Sequence, residues 1–153
     1  MIVRVRARPD AAALSLGPLA RVVGFHLARA SALTAVLYER HVGAPLNLRK
    51  AEFSVLMLLL ANRAVPPKQL AQALAVTAPA LTLLLDRLQQ RGLLRREPNP
   101  RDGRSQHVVL TEAGQRLAAD AAAAAAPMEA GLRERLSPAE QAMLIELLEK
   151  LGG

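Results

Sequence analysis

From Ser15 to about His41, apolar residues recur at three- and four-residue steps: Leu19, Val22, Val23, Leu27, Ala30, Leu33, Val36 and Leu37. Arg21, Arg29, Glu39 and Arg40 lie mostly off that stripe. The period predicts one long amphipathic helix, ended by Gly43-Ala44-Pro45 and too long for a small core to cover. Such a helix either crosses between lobes or pairs with another chain. A second helix is expected from Asn47 or Arg49 to Asn62. Its centre, Val55 to Leu60, is apolar all round and should be the most buried element. Pro66-Pro67 opens a short third helix that runs to Leu74. After Ala75-Val76, a fourth helix is expected over Thr77 to Arg91. Thr77 is its N-cap, Pro79 lies in its first turn, and Gly92 is the left-handed residue that ends it.

The pattern then changes. Leu93 to Glu97 and Gln106 to Leu110 read as two short β-segments around an eight-residue loop, Pro98 to Ser105. Thr111 caps a fifth helix that passes through the alanine tract Ala121 to Ala126 and is expected to bend or break near Pro127. Ser137-Pro138-Ala139-Glu140 is a capping box for a sixth helix, which carries Met143, Leu144, Leu147, Leu148 and Leu151. Helix, helix, turn, helix and basic hairpin, in that order, make a mainly α winged helix-turn-helix with a small β-hairpin wing.

Composition narrows the chemistry. The 153 residues are 52% hydrophobic, enough to bury a core, and contain no cysteine, which excludes disulfides, thiolate zinc sites and thiol redox sensing. A net charge of +7 favours an anionic partner. Three aromatics, Phe25, Phe53 and Tyr38, are too few for the stacking platforms of single-strand readers. Met1 to Asp10 has no apolar targeting segment behind it, and the longest oily run, Phe53 to Ala61, is about half a membrane span, so a cytoplasmic protein without a membrane partner is expected. His26, His41 and His107 are too scattered for a metal site, and no phosphate loop, nucleophile elbow or catalytic carboxylate pair appears. The expectation is a protein that is no enzyme and needs no cofactor.

The candidate DNA contacts follow from two features. On the fourth helix, Leu81, Leu84, Leu85 and Leu88 share one side; Pro79, Leu83, Asp86 and Gln90 lie opposite, with Thr82 and Arg87 on the flanks. Thr77, Ala80 and Thr82 offer short side chains for close approach to bases or phosphates, although Thr77 could serve only as a cap and Thr82 only as a solvated residue. After the helix, six arginines (Arg87, Arg91, Arg95, Arg96, Arg101, Arg104) face two acids (Glu97, Asp102) within residues 87–104, a one-sidedness that a phosphate backbone rewards. In the loop, Arg101-Asp102-Gly103-Arg104 places an arginine at a hairpin tip, suited to a narrow minor groove, with a carboxylate able to hold its guanidinium. Lys68 and Ser105 complete the candidate set.

These residues bring a family into view. Gln69-Leu70-Ala71, Ala80-Leu81-Thr82, Leu85-Asp86-Arg87-Leu88, Arg91-Gly92-Leu93-Leu94-Arg95-Arg96, the loop Pro98-Asn99-Pro100-Arg101-Asp102-Gly103-Arg104, and Val109-Leu110-Thr111-Glu112-Ala113-Gly114 resemble the multiple antibiotic resistance regulator (MarR) family of bacterial transcription factors, over about Leu16 to Leu151. The resemblance implies an obligate homodimer held by the first, fifth and sixth helices, with two lobes on one pseudo-palindromic operator in double-stranded DNA. It divides the chain into an arm at 1–14, a dimerisation helix at 15–45, a winged helix-turn-helix lobe at 46–111 and C-terminal dimerisation helices at 112–153. Arg104 matches the wing arginine of the minor groove, and Asp102 its orienting carboxylate. The resemblance also implies a repressor released by a small aromatic or lipophilic effector, in a cleft lined by the first, second and fifth helices with His26, Arg29 or Tyr38 as polar anchors. Two positions depart from the family: Leu83 stands where arginine is frequent, and can touch a thymine methyl but not read guanine; Arg49 stands where many members have threonine. The alternative, a winged-helix protein-interaction module, would call for an exposed apolar patch without basic bias.

Overall fold

The chain enters its first helix in two steps. In this computed structural model, which describes residues 14–99 and 102–152, a 3-10 turn over Gly17–Arg21 ends at Val22, whose backbone is extended (φ −89°, ψ 104°). Helix α1, Val23–Tyr38, starts after it. The expected continuous helix from Ser15 is therefore interrupted at Val22. The other end is corrected as well. Gly43-Ala44-Pro45 does not break the path: a π-turn, Glu39–Gly43, leads into a short α2, Ala44–Leu46, with Pro45 in its first turn, where a missing N–H costs nothing. The reversal comes at Asn47, which is left-handed (φ 49°).

Two compact units divide between Thr34 and Ala35. In the first, none of residues 14–34 is buried. The second holds the remaining elements: α3 (Lys50–Asn62), β1 (Ala64–Val65), α4 (Pro67–Ala73), α5 (Ala78–Gln90), β2 (Leu94–Asn99), β3 (Asp102–Leu110), α6 (Glu112–Arg133) and α7 (Pro138–Gly152). Its core is built from Val42, Val55, Leu56, Leu59, Leu70, Leu85, Leu88, Leu94 and Val108. The centre of α3 is buried on one side only: Val55, Leu56 and Leu59 are enclosed, whereas Leu60 is 41% exposed. The expected all-round burial fails because α6, α5 and the sheet pack on the side that carries Val55, Leu56 and Leu59, and leave Leu60 outside.

The sheet is antiparallel, in the order β1-β3-β2, with Ala64 opposite Val109 and Leu94 opposite Leu110. Sequence periodicity misses β1, because two residues carry no period. It also makes the hairpin loop too long: pairing continues through Pro98 and Gln106, then shifts register so that Asn99 faces Asp102. Thr111 joins the sheet to α6. Its Oγ1 accepts from the Gly114 N–H (3.1 Å) and donates to the Gly92 carbonyl (2.6 Å). A Cβ at Gly114 would collide with the Leu93 carbonyl oxygen, so only glycine lets α6 start this close to β2. Helix α6 is not broken at Pro127; it continues to Arg133. The preceding alanines are strong helix formers and offset the lost hydrogen bond, and Ala118 and Ala121 are fully buried at the core contact. At α7, the Ser137 N–H and hydroxyl both donate to Glu140 (2.8 Å each), which completes the capping box and holds the exposed Glu140 carboxyl below its usual range. No single helix among the described residues is long and apolar enough to cross a membrane.

Tyr38 closes the α1 end of the core. It is buried, packs edge-on against Phe53 and donates its hydroxyl to the Leu48 carbonyl (2.8 Å). Burial first, and then the negative charges of Glu52 and Glu39, push its phenol up to about 12 from 10. A raised phenol favours the protonated folded state. That stabilisation is complete below pH 10 and lost as pH rises toward 12, up to about 2–3 kcal/mol. Because the chain has one tyrosine, phenolate absorbance reports it directly. The folded protein should titrate near pH 12, with unfolding free energy falling over the same window, and Tyr38→Phe should flatten that fall. Titration near pH 10 in a protein still fully folded would contradict the buried, hydrogen-bonded phenol.

Candidate nucleic-acid interface

Helix α5 has one apolar face, and its burial decides what the other presents. Leu81, Leu84, Leu85 and Leu88 are each no more than 5% exposed, so Thr77, Pro79, Ala80, Thr82, Leu83 and Arg87 face solvent. Leu83 is 67% exposed, a large apolar side chain left uncovered by the described residues. The Thr77 hydroxyl caps the helix by accepting from the Ala80 N–H (3.4 Å), and the Thr82 hydroxyl donates back to the Ala78 carbonyl (3.0 Å). Ala75 between α4 and α5 is left-handed (φ 52°), which turns the two helices sharply. Lys68 on α4 is exposed and lines, with Ala71, Gln72 and Thr82, a mostly apolar groove of about 440 Å³ between those helices.

The arginines behind α5 are not equivalent. Arg96 on β2 forks across the helix, donating to Asp86 Oδ1 and Gln89 Oε1 at 2.7 Å each. Arg95 donates to Glu97 (2.6 Å). Arg91 reaches the buried Glu52 on α3 (3.3 Å), whose same Oε2 accepts the Arg49 N–H (2.9 Å). Arg87 is exposed and has no ion pair among the described residues. Sequence reasoning counted these arginines together. Asp86, an acid on the outward face of a basic helix, was the signal that one of them is held in place.

In the wing, Ser105 Oγ accepts from Asn99 Nδ2 (2.9 Å) and donates to the Asp102 carbonyl (3.1 Å), pinning the register shift at the tip. Asp102 is exposed on β3, and Arg104 lies on the same strand two residues on. Arg101 and the Arg104 side chain fall outside the described residues. The three expected effector anchors are placed as follows. The His26 ring nitrogen Nε2 lies 3.0 Å from the Ala20 carbonyl, and Arg29 sits over the Phe25 ring at 5.6 Å, all within the first unit. Tyr38 lies in the second unit, with its hydroxyl already donated to Leu48. Among the described residues, no three acidic or histidine side chains gather as metal ligands would.

Known proteins share this fold and much of this sequence. The model of the MarR family matches residues 48–106, from before α3 into β3. The HTH-type transcriptional repressor Rv2887 of Mycobacterium tuberculosis is 32% identical over 109 residues, covering 71% of this chain and 78% of its own. The transcriptional repressor CouR bound to a 23-mer DNA duplex is similar with a TM-score of 0.83 at 31% identity, over 92% of this chain and 99% of its own. CouR bound to p-coumaroyl-CoA gives 0.79 at 30%, over 90% and 96%. A mutant MarR from Escherichia coli complexed with operator DNA gives 0.79 at 28%, over 90% and 99%.

The division among arginines has a measurable consequence. Arg87→Ala should weaken operator and random DNA alike and lower the salt dependence of binding by about one phosphate. Arg96→Ala should weaken operator binding while leaving that salt slope unchanged, because its guanidinium is committed to Asp86 and Gln89. Fluorescence anisotropy at several salt concentrations reads both. A slope reduced by about one in Arg96→Ala would put Arg96 on a phosphate instead.

Proposed function

The chain belongs to the MarR family of transcriptional regulators, and we propose that it is a homodimeric, cytoplasmic repressor that grips a pseudo-palindromic operator with two winged helix-turn-helix lobes and releases it when a small aromatic or lipophilic effector binds. The observation that carries the DNA reading is the outward face of α5, with Thr77, Ala80, Thr82, Leu83 and Arg87 free of the core, set beside a basic hairpin. In this reading α5 enters the major groove, where Leu83 meets a thymine methyl and not a guanine. Arg101 and Arg104 lie at the wing in the minor groove, with Asp102 orienting Arg104 and Ser105 shaping the tip. Lys68 adds a backbone contact.

Two apolar surfaces support a dimer joined by 15–45 and 112–153. On α7, Met143, Leu144, Ile145, Leu147, Leu148 and Leu151 are all at least 41% exposed, and α7 buries no residue within the chain. Leu19, Val22, Val23 and Leu27 are exposed near the other end. A strip of that kind is ordinarily covered by a partner. The effector class is supported by the aromatic acyl ligand of CouR. His26 and Arg29 in the first unit are its candidate polar anchors; Tyr38, in the second, has its hydroxyl donated to the Leu48 carbonyl. Such a ligand releases DNA only by favouring a lobe arrangement that no longer fits the operator.

Two experiments test the reading. Arg104→Ala should cost about 1–3 kcal/mol per wing. In a dimer that weakens operator binding roughly a hundredfold or more, with little change in melting temperature. Unchanged operator affinity would remove the wing from DNA recognition and favour the protein-interaction alternative. Replacing Leu144 and Leu148 with glutamate should yield a folded monomer by sedimentation that has lost operator affinity. A monomer that binds operator as well as the parent chain would overturn the dimer.

A further inference from the structure

We propose that the cleft between the π-turn and the C-terminal end of α5 is an oxyanion site, with Arg49 and Arg87 as the groups that hold a phosphate. The cleft has a volume of about 470 Å³, within the range of small-ligand sites, and lies wholly inside the second unit. Three guanidinium side chains line it: Arg49 at the start of α3, and Arg87 and Arg91 on α5. Two carboxylates share it. Glu52 is 4% exposed, and its Oε2 takes both the Arg91 guanidinium and the Arg49 backbone N–H. It therefore compensates Arg91 and leaves the Arg49 side chain uncompensated. Glu39 is exposed and lines the same cleft, so it offsets part of the arginine charge and leaves the cleft with one net positive charge.

The guanidinium groups of Arg49 and Arg87 have no ion pair or hydrogen bond among the described residues, yet they come from distant parts of the chain to one concavity. Two exposed like charges that line one concavity repel, and an anion with several oxygens relieves that repulsion. The planar fork of arginine matches a phosphate, and Asn47 and Gln90 line the same space with amide donors. Arg49, which looks like a plain departure from a family threonine, thereby acquires a part.

The phosphate can come from two sources. A phosphate of the DNA backbone would make the cleft an anchor that sets the register of α5. Free phosphate, or the phosphoryl group of a small molecule, would instead compete for Arg87 and oppose DNA binding. The test uses the full chain, with Arg49→Gln and Arg87→Gln as independent variants and Arg116→Gln, on the exposed surface of α6, as control. Melting is followed in sodium phosphate and in sodium chloride at equal ionic strength, and operator affinity is measured against chloride concentration. Phosphate should raise the melting temperature of the parent and of Arg116→Gln by a few degrees. Either cleft variant should lose that rise, and the double variant should lose no more than either one. If the occupant is DNA, Arg49→Gln also lowers the salt slope by about one phosphate per lobe. If the occupant is the free anion, the slope stays, and phosphate displaces operator from the parent more strongly than chloride does. A melting rise that survives both cleft variants, or the absence of any rise together with an unchanged slope in Arg49→Gln, overturns the site.

Discussion

One buried carboxylate ties the DNA-binding unit together. Among the described residues, Glu52 is the charged one that the core encloses, at 4% exposure. An ion in that position is tolerated only with its oxygens occupied, and removing a partner of such a pair ordinarily costs about 3–5 kcal/mol when both are buried. Here Arg91 is one-third exposed, so the cost is smaller, but the geometry is demanding all the same. The Arg49 N–H fixes where α3 begins, and the Arg91 guanidinium fixes where α5 ends relative to it. The same charge reaches Tyr38, whose phenol is driven upward by burial and then by Glu52. Three segments far apart in sequence are thus registered by a single side chain.

The proposed role of α5 requires that its apolar face be anchored while its outer face stays clear. Leu81, Leu84, Leu85 and Leu88 provide the anchorage by burial, each worth about 1.5–3 kcal/mol. Burial alone does not set the rotation of the wing against the helix. That falls to Arg96, half-shielded between strand and helix, whose fork spans Asp86 and Gln89 one turn apart. At the other end of the sheet, Gly114 lets α6 lie against the Leu93 carbonyl, and Thr111 bonds both to the cap and to Gly92. The base of the wing is thus held from two sides.

What was legible in the sequence was local. The caps at Thr77, Thr111 and Ser137 with Glu140 are each written within four residues, and each forms. The leucine spacing of α5 predicted its buried face residue by residue. The failures have a different cause. Gly43 to Leu46 stay helical where the π-turn packs on α6, a contact that local propensity does not record, and nothing in the sequence marks Val22 as extended. Strand β1 exists only through its pairing with Val108 and Val109. Likewise no spacing rule joins Glu52 to Arg91, thirty-nine residues apart.

Net charge shows the same limit. A basic cluster in sequence announces an anionic partner, but it does not say which cations are available to it. Arg91, Arg95 and Arg96 each meet a carboxylate of their own chain, and an arginine so engaged must first give up a charge-assisted hydrogen bond to reach a phosphate. The exposed pair Arg95–Glu97 gives up little, since surface ion pairs are worth about 0–1 kcal/mol. The forked Arg96 gives up more, having two short bonds and less solvent. The same residue type therefore divides into contacts, reserves and braces along one short stretch of chain. Carboxylates such as Asp86 and Glu52 decide which arginines stay engaged within the chain and which remain available to an anion.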